Sequence, residues 1–131
     1  MNQDQLVVWQ AVRALNRTWV EGRVHELGAW FHPQVVAVTP ADSGRLVGRG
    51  PCLGAWKRFV DTARVLAWEE RDPLVQLWGD VAVVNYGYRA VCDFEEGPRE
   101  LVGRDTMVLL RTAEGWKLVA DHFSGEPGRD G

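Results

Sequence analysis

Apolar residues recur at Val8, Val12, Leu15 and Trp19, an i, i+4, i+7, i+11 rhythm that predicts a long first helix with one buried stripe, and Gly22 offers its stop. A shorter helical stretch, Val24 to Phe31, is expected to end before His32-Pro33, because proline restricts the residue that precedes it. Val35 to Thr39 then reads as a short buried strand, and Pro40 to Gly50 as a loop or brief hairpin carrying Leu46 and Val47. A second long helix is predicted to start at Gly50-Pro51, where proline is tolerated in the first turn. Cys52, Ala55, Trp56, Phe59, Val60 and Ala63 form its apolar face.

From Val65 onward the periodicity changes to β-branched and aromatic runs. Asp72-Pro73, Gly79-Asp80, Glu95 to Pro98 and Ala113 to Gly115 are the turn signals between them, and four long strands are expected. Helices first and an antiparallel meander afterwards indicate an α+β domain with the sheet curling around the helices. Residues 1–125 are read as this single domain and residues 126–131 as a short mobile tail.

The last strand, Trp116-Lys-Leu-Val-Ala-Asp-His-Phe-Ser124, places acid, imidazole and hydroxyl groups among apolar ones. Side chains alternate across a strand, so regular pairing puts Val119, Asp121 and Phe123 on one face and Leu118, Ala120, His122 and Ser124 on the other. Asp121 and His122 are therefore not a dyad. If Asp121 points into a cavity, desolvation raises its pKa by up to ~3–5 units, and it is then protonated, paired with a cation or reached by water. The plain alternative is an aspartate at the wet mouth of the sheet. Gly103-Arg-Asp-Thr106 carries the other candidates. Unbulged alternation sets Asp105 with Met107 and Arg104 with Thr106, whereas a one-residue bulge exchanges the sets. Arg104 beside Asp121 would hold that carboxylate ionised, and Asp105 beside it would make the two share a proton.

Composition narrows the partners. A chain of 131 residues suits one domain that buries about two thirds of its unfolded surface. A net charge of -3 with no basic stripe argues against nucleic acid. Cys52 and Cys92 form no C-x-x-C pair and read as reduced core residues. The three histidines, His25, His32 and His122, have no ligand spacing, so no metal and no cofactor is expected. No run approaches the ~20 apolar residues of a membrane span, and the Met-Asn-Gln-Asp-Gln start has no apolar leader, so a cytoplasmic site is expected. Seven tryptophans are the one oddity. Most must be core, and the remainder suit an aromatic pocket or a subunit interface.

The order of elements together with the Trp116 to Ser124 ending resembles the SnoaL-like branch of the nuclear-transport-factor-2-like superfamily. Trp116, His122-Phe-Ser-Gly125, Ala37 to Ala41 and the loop Gly44 to Gly50 resemble the association domain of calcium/calmodulin-dependent protein kinase most. The resemblance implies a cone-shaped, strongly curved mixed or antiparallel sheet wrapped around the N-terminal helices, and a homodimer. It implies a pocket built from Trp19, Trp30, Trp56, Tyr86, Tyr88, Met107, Asp121 and Phe123. Complete catalytic sets do not carry over. The ketosteroid isomerase base falls on Thr39, its helical tyrosine near Leu15, and its second acid near Asp105 or Thr106. Asp121 matches one aspartate of limonene epoxide hydrolase, while that enzyme's Arg-x-Asp falls on Tyr86 and Tyr88. Two pocket arginines of the kinase association domain fall on Tyr88 and Met107. The expected function is binding of a small, partly apolar molecule, with isomerase, hydrolase or dehydratase chemistry through Asp121 and either Arg104 or Asp105. The alternative is an association module without catalysis.

Overall fold

The computed structural model describes residues 1–126, so all but the first residue of the expected tail lies outside the described residues. Helix α1 spans Gln3–Val20 and opens with a reciprocal cap, in which the Asn2 side chain accepts from the Gln5 backbone and the Gln5 side chain accepts from the Asn2 backbone. Its stripe Val8, Val12, Leu15 and Trp19 is buried. Gly22, at φ +76°, reverses the chain after it. Helix α2, Val24–Leu27, gives way to a 3-10 turn over Gly28–Trp30. Phe31, expected to close the helical stretch, instead begins strand β1, Phe31–Val38. Pro33 fits there because the β1 pairing is irregular between Phe31 and Val36, where no ladder hydrogen bond requires its missing N–H.

Strand β2, Leu46–Val47, precedes helix α3, Arg49–Thr62, and four long strands complete the chain: β3 Ala63–Trp78, β4 Val81–Phe94, β5 Gly97–Thr112 and β6 Gly115–Gly125. They form one open, mixed sheet in the order β2-β1-β6-β5-β4-β3, in which only β1 and β6 run parallel. The core lies between α1, α3 and one face of this sheet. Val8, Val12, Leu15 and Leu27 meet Val84, Met107, Leu109 and Leu118 there, each large side chain contributing ~1.5–3 kcal/mol by leaving water.

Two corrections concern strand continuity. Asp72-Pro73 does not end a strand. It is a bulge inside β3, with Asp72 at φ 50° and the register shifting between Arg71 and Leu74. Leu118 is not on the face opposite Asp121, because β5 pairs Val108 with Ala120 but Leu109 with Leu118, leaving Val119 as an extra residue. That extra residue resets the alternation, so Leu118 and Asp121 are both buried. Both cysteines are free and buried, as expected.

Strands β4 and β5 stay in register from Val81↔Leu110 to Phe94↔Gly97, so Tyr86, Tyr88, Asp105 and Met107 share the face turned to the helices. Gly103, on that face, has no room for a side chain. A Cβ there would collide with the Ser124 carbonyl and come 2.5 Å from the Tyr88 hydroxyl. Gly103→Ala is therefore expected to lower stability by ~1–3 kcal/mol and to displace the Tyr88 ring, read as a lower denaturation midpoint with altered near-ultraviolet circular dichroism. An unchanged midpoint would show that Gly103 is not constrained by Tyr88.

Candidate functional site

A cavity of about 590 Å³ opens between α1, α3 and the sheet. Its walls are aromatic. Trp19 from α1 stacks on Trp56 from α3 at 4.7 Å and meets Trp68 from β3 edge-on at 5.0 Å. Trp68 in turn stacks on Tyr88 at 5.6 Å, and Trp56 on Phe123 at 6.0 Å. Phe59, Phe94 and Met107 continue the lining, and Thr39, Asp42, Arg58 and Arg99 also border the space. Thr39, where an isomerase base would fall, donates its hydroxyl to Asp42 Oδ2 at 2.7 Å. Such walls with few polar groups are the usual construction of a small-molecule site.

Asp105 and Asp121 lie at the buried end of this cavity, each 6% exposed. Asp105 is paired with Phe123 and Asp121 with Met107, so the two acids are diagonal neighbours on one face, within side-chain reach. Burial pushes both carboxyls up. Asp105 is partly restrained by hydrogen bonds from Asp121 and Tyr86, whereas the negative charge of Asp105 drives Asp121 further, well above the usual carboxylate range. Two carboxyls buried this close favour a proton between them, and the stronger upward push falls on Asp121. The Oδ1 atoms of both acids are buried and without a hydrogen-bond partner, although a buried polar oxygen almost always has one.

The phenol of Tyr86 donates to Asp105 Oδ2 at 2.6 Å and itself accepts from Asn16 Nδ2 at 3.0 Å. The same amide nitrogen donates to Glu70 Oε2 at 3.0 Å, and Trp19 Nε1 donates to Asn16 Oδ1 at 3.1 Å. Glu70 Oε2 also receives Trp68 Nε1 at 3.0 Å, and Arg13 pairs with Oε1 at 3.3 Å. Burial, followed by the nearby acids, pushes Tyr86 well above its usual value and Tyr88 up to about 12, so both phenols remain neutral donors.

Of the residues singled out from the sequence, Trp19, Trp56, Tyr86, Tyr88, Asp105, Met107, Asp121 and Phe123 all border the one cavity. The intact β4–β5 register decides between Arg104 and Asp105. Asp105 faces inward, and Arg104 is exposed on the other face, so it does not hold Asp121 ionised. Trp30 does not border the cavity either. The 3-10 turn carries it to the part of the core beside β6. His122 is exposed, on the face away from Asp121. Asn16, Trp68 and Glu70 were not anticipated. Asn16 had a signal, since it lies four residues after Val12 and three before Trp19, a lone amide on the buried stripe. Among the described residues no group of histidine, cysteine or acidic side chains could hold a metal ion.

The shared proton has a consequence for stability. An unfolded aspartate titrates near ~3.9, so the raised folded value contributes stability that is fully present below about pH 4 and is lost as the pH climbs toward it. Asp121→Asn has no proton to lose. Its stability is expected to match the parent near pH 4 and to exceed it by ~1–3 kcal/mol at pH 7, measured as thermal melts across that range. Parallel pH profiles would mean that Asp121 is not protonated in the folded chain.

The fold recurs in solved structures of low sequence identity. A putative dehydratase of the NTF2-like family from Streptomyces avermitilis is 23% identical, with a TM-score of 0.86 over 95% of this chain and 97% of that one. A ketosteroid isomerase-like protein from Erwinia carotovora atroseptica is 17% identical, with a TM-score of 0.82 over 95% and 98%. The CaMKII hub of S. rosetta is 24% identical, with a TM-score of 0.79 over 93% and 96%. No match was found among proteins of curated function. Residues 8–127 match the SnoaL-like domain family, and the chain belongs to it.

Proposed function

We propose that this chain binds a small, mostly apolar, flat or alicyclic molecule in the aromatic cavity and moves a proton on it through Asp105 and Asp121, in an isomerisation, dehydration or hydrolysis that needs no cofactor. The observation that carries this reading is the pair of unpartnered Oδ1 atoms where the aromatic walls end. A ligand between the stacked rings would present its polar edge to these oxygens. Asp121, neutral, serves as the acid, and Asp105, charged, as the base. Tyr86 holds Asp105 as the proton moves, and Tyr88 supplies a second neutral hydroxyl. Burial gives the pair the shifted proton affinities that acid–base catalysis at neutral pH requires. The dehydratase and isomerase-like names among the structural neighbours support the reaction class.

A second reading, association into a homodimer, is compatible with the first. Strand β3 exposes Leu66, Leu74 and Trp78, the last 60% accessible, and the hub domain supplies a precedent of fold. A symmetric dimer through the sheet is the arrangement we propose. Light scattering at micromolar concentration checks it, and a monomer would remove it. No helix among the described residues is long and apolar enough to cross a membrane.

Proton transfer is tested by incubating the protein in D₂O with β,γ-unsaturated cyclic ketones and cyclic β-hydroxy ketones, following deuterium uptake and product by NMR. The expected result is protein-dependent exchange that falls ~10²-fold or more in Asp121→Asn and Asp105→Asn. Equal exchange by parent and variants would take the acids out of the mechanism. A parent protein that binds none of these ketones, judged by tryptophan fluorescence, would overturn the substrate class.

A further inference from the structure

The hydrogen bonds behind the acids run in one direction, and the chemistry of the donors fixes it. An indole N–H donates and never accepts. The Asn16 atom 3.1 Å from Trp19 Nε1 is therefore the carbonyl oxygen, and the amide nitrogen faces the other way. There it meets Glu70 Oε2 at 3.0 Å, an acceptor that is itself anchored by Trp68 Nε1 and Arg13 on a side chain only 10% exposed. Both neighbours thus demand the same orientation of the amide. Its remaining hydrogen is given to the Tyr86 oxygen at 3.0 Å, so the phenolic hydrogen has one acceptor left, Asp105 Oδ2 at 2.6 Å.

We infer that Asn16, clamped between Trp19 and Glu70, is a positioning residue that fixes the Tyr86 hydroxyl as a donor to Asp105 and so leaves the proton of the acid pair on Asp121. Asn16 is 1% exposed, its side chain hydrogen-bonds to Trp19, Glu70 and Tyr86 and to neither acid, and it acts through Tyr86. Nothing in a requirement for packing alone asks for an amide at this place, because an apolar side chain would complete the buried stripe of α1. The role rests on the proton-transfer reading only for its purpose. The location of the proton is a property of the protein without substrate.

The test follows the titration of Asp105 and Asp121 in ligand-free protein by NMR of ¹³C-labelled aspartate carboxyls. The other titratable groups around the pair are Tyr86 and Tyr88 from β4 and Cys52 from α3, with His122 acting on Asp105 from the opposite face of β6, and none of these is substituted in Asn16→Leu. That variant is close in size and adds no charge. Its first ionisation of the pair, Asp105 in the parent, is expected to shift upward by ~3- to 10-fold in proton affinity. Tyr86→Phe should shift it in the same direction, and Asn16→Leu placed on Tyr86→Phe should add nothing. An unshifted titration in folded Asn16→Leu overturns the inference, as do single shifts that simply add in the double variant. Should Asn16→Leu not fold, Trp19→Phe removes the indole donor while keeping a ring in the wall, and the same pair of outcomes applies. Because no substrate is present, a protein inert toward ketones but shifted here would reject the catalytic reading alone, whereas exchange-competent protein with unshifted acids would reject the role of Asn16 alone.

Discussion

Two carboxyl groups buried side by side cannot both be charged. Repulsion between them and the cost of desolvating each raise the proton affinity of both, most strongly that of Asp121. The surroundings of the pair follow from it. At Asp105 the upward push of burial is opposed by the hydrogen bonds from Asp121 and from Tyr86, the latter at 2.6 Å. At Asp121 burial and the neighbouring Asp105 both push upward. Among the described residues no lysine or arginine forms an ion pair with either acid. The nearest candidate in sequence, Arg104, is turned to the opposite face by strand alternation.

Backbone register is what places the two acids together. Across β4 and β5 the pairing runs without a break, so Tyr86 stands opposite Asp105 and alternation alone carries Asp105, Met107 and Leu109 inward. Across β5 and β6 the extra residue at Val119 allows Leu118 to enter the core while Asp121 two pairs on still points inward. Without that bulge one of them would have to leave: either a leucine from the core or the acid from the cavity.

Much of this was legible in the sequence, and the parts that were not have a common cause. Helix α1 could be read because four apolar positions repeat at the helical period and pack as that period requires. The long strands could be read because glycine-containing turns separate them. Asp72-Pro73 and Val119 could not, since a bulge and a turn use the same residues, and a single extra residue leaves no trace in composition. The alternation of Gly103 to Met107 defined two mutually exclusive faces, and only the observed register chose Asp105 over Arg104. The tryptophan surplus suited an aromatic pocket or a subunit interface equally, and Trp30 packs beside β6 while Trp68 joins the cavity wall, because period alone does not say which end of the sheet a ring reaches. Asn16 and Glu70 are 54 residues apart in sequence, and their meeting is a product of tertiary structure.

An association role by itself does not account for the interior. Self-association through the sheet would use the outer surface, where Leu66, Leu74 and Trp78 are exposed, and would be served equally well by a core filled with leucine and methionine. Replacing buried ionisable groups by apolar ones of similar volume is commonly neutral or stabilising, so retaining two acids, with one oxygen of each unpartnered, costs stability that a scaffold has no reason to forgo. The same arrangement is economical for chemistry. The walls of the cavity are aromatic, burial raises the proton affinity of both acids, and Tyr86, hydrogen-bonded by Asn16, donates to Asp105 behind them. The exposed apolar residues of β3 and the two acids lie on opposite faces of one sheet, so a dimer through the outside would leave the acids on the inside still to be explained by a ligand.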